Sequence, residues 1–161
     1  MEKKLYPLKF IPIPSIRPWG GNALVTELGK EFVVCDEDGN ESVLGTGESI
    51  GESWEIADMG FEDSVVKERV VGEDVYNYYG RQFPLLIKFL DIKGKLSVQV
   101  HPDDEIAAER YDSLGKNEIW YVLDAKPGSK IYAGFNRDMT AQELYDRCHD
   151  GSVEEVLNVI Y

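Results

Sequence analysis

Apolar positions along the chain recur mostly with period two, in short runs broken by glycine, proline and acidic turns. Such alternation places every second side chain on one face of a pleat, so it predicts strands. Six segments carry it: Ser53–Met59, Ser64–Val71, Leu85–Ile92, Leu96–His101, Ile119–Ala125 and Lys130–Ala133. Lys126-Pro127-Gly128-Ser129 gives the clearest hairpin turn. Helices are fewer. Asp103–Tyr111 follows Pro102 with acids in its first turn, where the helix dipole favours them. Thr140-Ala141-Gln142-Glu143 reads as a capping box opening a helix to Cys148, and Ser152-Val153-Glu154-Glu155 opens a last helix to about Val159. The first 50 residues look irregular. Ile11-Pro12-Ile13-Pro14 and Arg17-Pro18-Trp19-Gly20-Gly21 fix extended and turning backbone, and a surface hairpin or loop surrounds Glu37-Asp38-Gly39-Asn40.

Many short strands with scattered helices predict a mainly β sandwich or barrel. The length, 161 residues, suits one domain, 1–161, with a real core. The chain ends at Val159-Ile160-Tyr161 as an apolar stretch begins, so further strands are expected beyond it.

Composition narrows the function. Thirty acidic against 17 basic residues give a formal charge of −13. That disfavours nucleic acid, whose binding runs on Lys and Arg neutralising phosphates, and it leaves no basic face for a membrane surface. No run approaches the roughly 20 apolar residues of a membrane span. Met1–Pro7 carries charge with no apolar stretch behind it, against a cleaved signal. Cys35 and Cys148 form neither a CxxC pair nor a disulfide framework, so a reducing cytoplasm is expected.

The most informative segment is Lys95-Leu96-Ser97-Val98-Gln99-Val100-His101-Pro102-Asp103. In a strand, Ser97, Gln99 and His101 project to one side while Leu96, Val98 and Val100 pack on the other. Gln99 and His101 are thereby placed to share one metal ion through an amide oxygen and an imidazole nitrogen. Glu118, at the mouth of the next apolar segment, is placed to add a carboxylate. One carboxylate with two neutral partners leaves net positive charge on the ion, which suits a Lewis acid. Each residue also has a plainer reading. His101 and Gln99 can be structural, Glu118 a solvated carboxylate, Ser97 a pleat hydroxyl, and Lys116 a loop charge. Lys88, interrupting an apolar strand, can snorkel to the surface. Trp19 and Trp54 can be core aromatics, and Glu55 can pair with a nearby lysine; His149 reads as a helix-surface residue.

Ser97-Val98-Gln99-Val100-His101-Pro102-Asp103 with Lys116-Asn117-Glu118-Ile119-Trp120-Tyr121 resembles the type I mannose-6-phosphate isomerase family. The likeness runs from Pro18-Trp19-Gly20-Gly21 through Gly51-Glu52-Ser53-Trp54-Glu55 to the region of Glu154-Glu155-Val156-Leu157. It implies a cupin-type jelly roll, incomplete at the C-terminus, with a few short helices. It also implies zinc held by Gln99, His101 and Glu118, with a fourth ligand, a histidine, beyond Tyr161, where a substrate-binding arginine is also expected. Lys88 and Ser97 match positions near a substrate phosphate, Lys116 a lysine near the reacting sugar, and Trp19 and Glu55 residues lining the cleft. The implied partner is a phosphorylated hexose, isomerised between aldose and ketose through a cis-enediol. Lys116 is nominated to carry the proton. Without the later ligands the 161 residues are expected to be inactive. A non-catalytic sugar-binding or regulatory cupin and a metal-free interaction fragment are the competing readings. A zinc hydrolase lacks an HExxH signature.

Overall fold

The computed structural model describes residues 10–58, 77 and 84–161. They are mainly β with few helices. Their contacts gather into two compact units, divided between Leu96 and Ser97.

The first unit is built on a three-stranded antiparallel sheet in the order β1-β4-β5, with β1 at Ile13–Gly21, β4 at Ile50–Ile56 and β5 at Ile87–Leu90. The Pro-rich N-terminal stretch, expected to be irregular, is thus the longest of these strands. Its register against β4 shifts between Ser15 and Ile16 and again before Gly21. It lies at the sheet edge, where proline's missing donor leaves no ladder bond unmade. A short helix, α1 (Ala23–Thr26), follows, and the Asp91 carboxylate after β5 accepts a 2.7 Å bond from Ala23 N.

β2 (Val33–Cys35) and β3 (Glu41–Val43) make the acidic hairpin read from the sequence. Its turn is closed by Asp36, whose Oδ1 accepts from the backbone N–H groups of Asp38 and Asn40 at 3.0 and 2.8 Å. Leu24, Phe32 and Ile50 are buried together, with Val25, Leu44 and Phe89 packed against them. β4 is central, and all of Ile50–Trp54 is buried.

Gly20 explains why the Trp-Gly-Gly stretch allows no side chain. A Cβ there would lie 2.4 Å from Gly51 N and 2.7 Å from Gly51 Cα, backbone that cannot yield.

In the second unit, α2 (Asp104–Tyr111) starts where expected, with the Asp103 side chain accepting from Ile106 N at 2.9 Å. α3 (Ala141–Asp150) is capped by Thr140, which accepts from Glu143 N at 3.2 Å. Arg137 and Arg147 both reach Glu143, the Arg147 Nε bond measuring 3.3 Å. β6 (Ile131–Phe135) pairs antiparallel with β7 (Leu157–Ile160).

Three further expectations are corrected. The last helix is only a 3₁₀ turn, Val153–Val156, after which the chain becomes β7. Val159 pairs with Tyr132 and Ile160 with Ile131, so β-branched residues in a cross-strand register outweigh the capping signal. Residues 96–101 and 119–125, expected as strands, have no regular structure and no ladder partner among the described residues. Alternation encodes a face to be covered, and Val98, Val100, Ile119 and Tyr121 remain exposed. The expected strand 64–71 and the end of the one at 53–59 lie outside the described residues.

Replacing Gly20 with alanine is expected to cost about 1–3 kcal/mol through overpacking against Gly51. A thermal melt in which Gly20→Ala matches the parent would contradict this contact.

Candidate functional site

The second unit brings three sequence-selected side chains together. His101 Nε2 lies 3.4 Å from Glu118 Oε2, and Lys116 Nζ lies 2.9 Å from Glu118 Oε1 and 3.5 Å from His101 Nε2. The local cause is a backbone crossing at the start of α2. Gly115 N donates to Asp104 Oδ1 at 2.9 Å, and Lys116 N donates to the Pro102 carbonyl at 3.2 Å. A Cβ on Gly115 would stand 2.6 Å from Asp103 C and Asp104 N. Only glycine lets the two chains approach this closely, and the approach carries Lys116 and Glu118 to His101.

The electrostatics favour an ionised acid. Burial pushes the Glu118 carboxyl up, but hydrogen bonds from Lys116 and Trp120 and the charges of Lys116 and His101 together outweigh it, holding it below the usual range. Trp120 Nε1 donates to Glu118 Oε2 at 3.3 Å, a contact the motif spacing did not reveal.

Ser97 and Gln99 meet through their side chains, although 96–101 is not a strand. Gln99 Nε2 donates to Ser97 Oγ at 2.8 Å, which commits the amide nitrogen and turns that end of the side chain to the hydroxyl. No three His, Cys, Asp or Glu side chains gather among the described residues, so a cation here would draw on a donor of another type beside His101 and Glu118. The donor pair itself suits a metal. Two ligands about 2.0–2.2 Å from one tetrahedral zinc are about 3.3–3.6 Å apart, and the His101–Glu118 separation falls in that range. The Lys116 ammonium, beside Glu118 Oε1 and His101 Nε2, shows that the position attracts positive charge.

The first unit holds the remaining candidates, each with a partner. Lys88 Nζ lies 3.1 Å from Glu52 Oε1, the two side chains only 21% and 11% exposed. Glu52 Oε2 also accepts a 2.7 Å bond from Trp54 Nε1. Glu52 was missed by the sequence reading, which chose Glu55. The spacing alone puts Glu52 and Trp54 on one face of a strand, but the pairing of Trp54 with Lys88 that brings the lysine there is seen only in the structure. Glu55 instead meets Lys30 at 2.7 Å and the Ser53 hydroxyl at 2.5 Å, and Lys30 Nζ rests 4.6 Å from the centroid of Phe89. Trp19 lines a cleft of about 310 Å³ with Pro18, Gly20, Ser49, Lys93 and Gly94. Its carbonyl accepts from Lys93 N and Gly94 N at 3.0 and 2.9 Å.

Comparison with known proteins decides the family. The phosphomannose isomerase type I catalytic domain matches residues 16–120. The chain belongs to this family. It is 34% identical over 154 residues to a mannose-6-phosphate isomerase of Streptococcus mutans, covering 88% of this chain and 44% of that relative. It is 32% identical over 164 residues to the Bacillus subtilis isomerase ManA, covering 94% and 47%. The crystal structure of a Bacillus subtilis mannose-6-phosphate isomerase matches with a TM-score of 0.73 at 28% identity, over 94% of this chain and 48% of that one. The chain therefore shares that fold, and it spans about half the length of the curated relatives it matches.

Burial pushes the Glu52 carboxyl up, while bonds from Trp54 and Lys88 and the charges of Lys88 and Arg17 hold it below its ordinary value of 4.5. A depressed carboxyl adds stability that is present above the ordinary value and is lost as pH falls through the folded one. Glu52→Gln is therefore expected to lower stability at neutral pH and to flatten its decline below about pH 4.5, read by denaturant unfolding across pH. Parallel curves for parent and variant would show that Glu52 contributes nothing to the acid limb.

Proposed function

We propose that this chain carries the cation-binding part of a zinc-dependent isomerase that interconverts mannose 6-phosphate and fructose 6-phosphate. The observation that carries the reading is the 3.4 Å approach of His101 Nε2 to Glu118 Oε2. Family membership, and relatives that are mannose-6-phosphate isomerases, support the substrate class.

On this reading His101, Glu118 and the amide oxygen of Gln99 hold one zinc ion, in a cupin-type scaffold. Bound there, zinc supplies Lewis acidity toward neighbouring sugar oxygens. The chain's own residues do the rest. Isomerisation moves a proton between adjacent carbons through a cis-enediol, so a positioned group must carry it and a donor must meet the developing oxyanion. Lys116 is the nominated carrier, and Glu118, 2.9 Å away, fixes its ammonium. Ser97 offers its O–H to the phosphate, since the bond from Gln99 uses only a lone pair of the hydroxyl oxygen. Lys88 offers a charge to the phosphate, provided Glu52 gives that charge up. Trp19 and Glu55 are assigned to the sugar cleft.

The chain has two histidines, and His149 lies on α3 with its ring stacked on Tyr145 at 6.0 Å between centroids. The proposed site therefore has three ligands from these residues, and its fourth position falls to a histidine outside the 161. The 161 residues alone are expected to bind zinc and to turn over no substrate. The cytoplasm, with its sugar phosphates and reduced thiols, is the compartment this reading implies.

Zinc titration by calorimetry tests the centre. His101→Ala and Glu118→Gln are each expected to weaken binding by at least about tenfold, the loss of one coordinating group. Affinity unchanged in both variants would end the assignment. Gly115→Ala, which touches no ligand, is expected to weaken zinc as well by forcing the backbone crossing apart. Full affinity in that variant would show that the crossing does not shape the site.

A further inference from the structure

Of the lysine–glutamate pairs at Glu52, Glu55 and Glu118, the last differs in two ways. Its ammonium also faces a ring nitrogen, His101 Nε2 at 3.5 Å, and its lysine is the most exposed of the three. The Lys116 side chain is 44% exposed, against 21% for Lys88 and 15% for Lys30. His101 and Glu118 lie deeper, at 24% and 29%, so the lysine is the outermost member of its cluster. An ammonium has donors and no acceptor. At His101 Nε2 it can therefore use only the ring's lone pair, which a metal bound there would need. Its tether is short, because Lys116 N donates to the carbonyl of Pro102, the residue after His101, at 3.2 Å. The backbone crossing thus delivers, together with Glu118, a cation that rivals a metal for the same place.

We propose that Lys116 is a built-in stand-in for the metal. In the metal-free chain its ammonium balances Glu118 and occupies the side of His101 that a metal would take. A divalent ion enters only by driving that charge away from His101, and its affinity is lowered accordingly. The inference rests on the zinc reading and adds a consequence to it. The residue nominated to carry the proton is held at His101 while the metal is away and is freed from it when the metal loads. Charge sets the direction of the effect. A unit positive charge a few ångströms from a doubly charged ion opposes it by at least about tenfold in affinity, even in water-like surroundings. A lysine that merely held Glu118 in place would act with the opposite sign, since its removal would weaken the metal.

Zinc titration of the intact 161-residue chain by calorimetry compares the parent with Lys116→Ala and Lys116→Arg. Lys116→Ala is expected to bind zinc at least about tenfold more tightly than the parent. It is also expected to show the larger zinc-induced rise in melting temperature. Lys116→Arg keeps the charge and is expected to stay near the parent's affinity. A second measurement needs no variant. Acylation of Lys116 by an amine reagent, read by peptide mass against the chain's other lysines, is expected to speed up when zinc is added to the parent. Unchanged or weaker affinity in Lys116→Ala overturns the proposal. So does equal tightening in both variants, or Lys116 acylation that zinc leaves unchanged. In each of those results the parent still binds the ion, so the zinc reading stands. No zinc uptake by the parent or by Lys116→Ala is a distinct outcome, which ends the zinc reading and this inference with it.

Discussion

The candidate site depends on one backbone crossing. Gly115 lies against the first residues of α2 with no space for a side chain, and two hydrogen bonds, Gly115 N to Asp104 and Lys116 N to Pro102, hold it there. Asp103 caps the helix at the same place. Three local devices, a helix cap, a missing Cβ and a proline carbonyl, therefore converge within a few residues of His101. Without them Glu118 and His101, 17 positions apart in sequence, would have no reason to meet.

Much of this was written in the sequence, and the reason is local. Capping residues and the acidic hairpin each act within a few positions, so Thr140 caps its helix and the hairpin at Glu37–Asn40 forms where the spacing predicts. Ser97 and Gln99 meet through a side-chain hydrogen bond although the strand expected to place them on one side does not form. What was not legible involves pairing at a distance. The segment after Ser152 carries a helix signal, but Val159 and Ile160 find Tyr132 and Ile131, and strand pairing prevails. The Pro-rich N-terminal stretch becomes an edge strand because β4 offers it a partner. Glu52 escaped notice for the same reason: its importance comes from Lys88 on another strand, and Glu55, nearer the expected motif, is taken by Lys30.

Charge follows a consistent rule in both units. The chain is strongly acidic, and three carboxylates of the described residues are each matched at short range by a lysine: Glu52 by Lys88, Glu55 by Lys30 and Glu118 by Lys116. Partly desolvated acids of this kind are costly without a partner. At Glu118 the cation is shared with an imidazole nitrogen, and at His101 Nε2 a lysine and a divalent ion would compete for one lone pair. This separates Glu118 from the other two acids and makes it the point where metal chemistry can enter.

The central claim is that His101 and Glu118 share one ion. Zinc K-edge absorption on the loaded chain tests it most directly. The account predicts a first shell of nitrogen and oxygen at about 2.0–2.2 Å with outer-shell imidazole scattering, and the loss of that scattering in His101→Ala. A spectrum identical in parent and variant, or one equal to zinc in water, would contradict it.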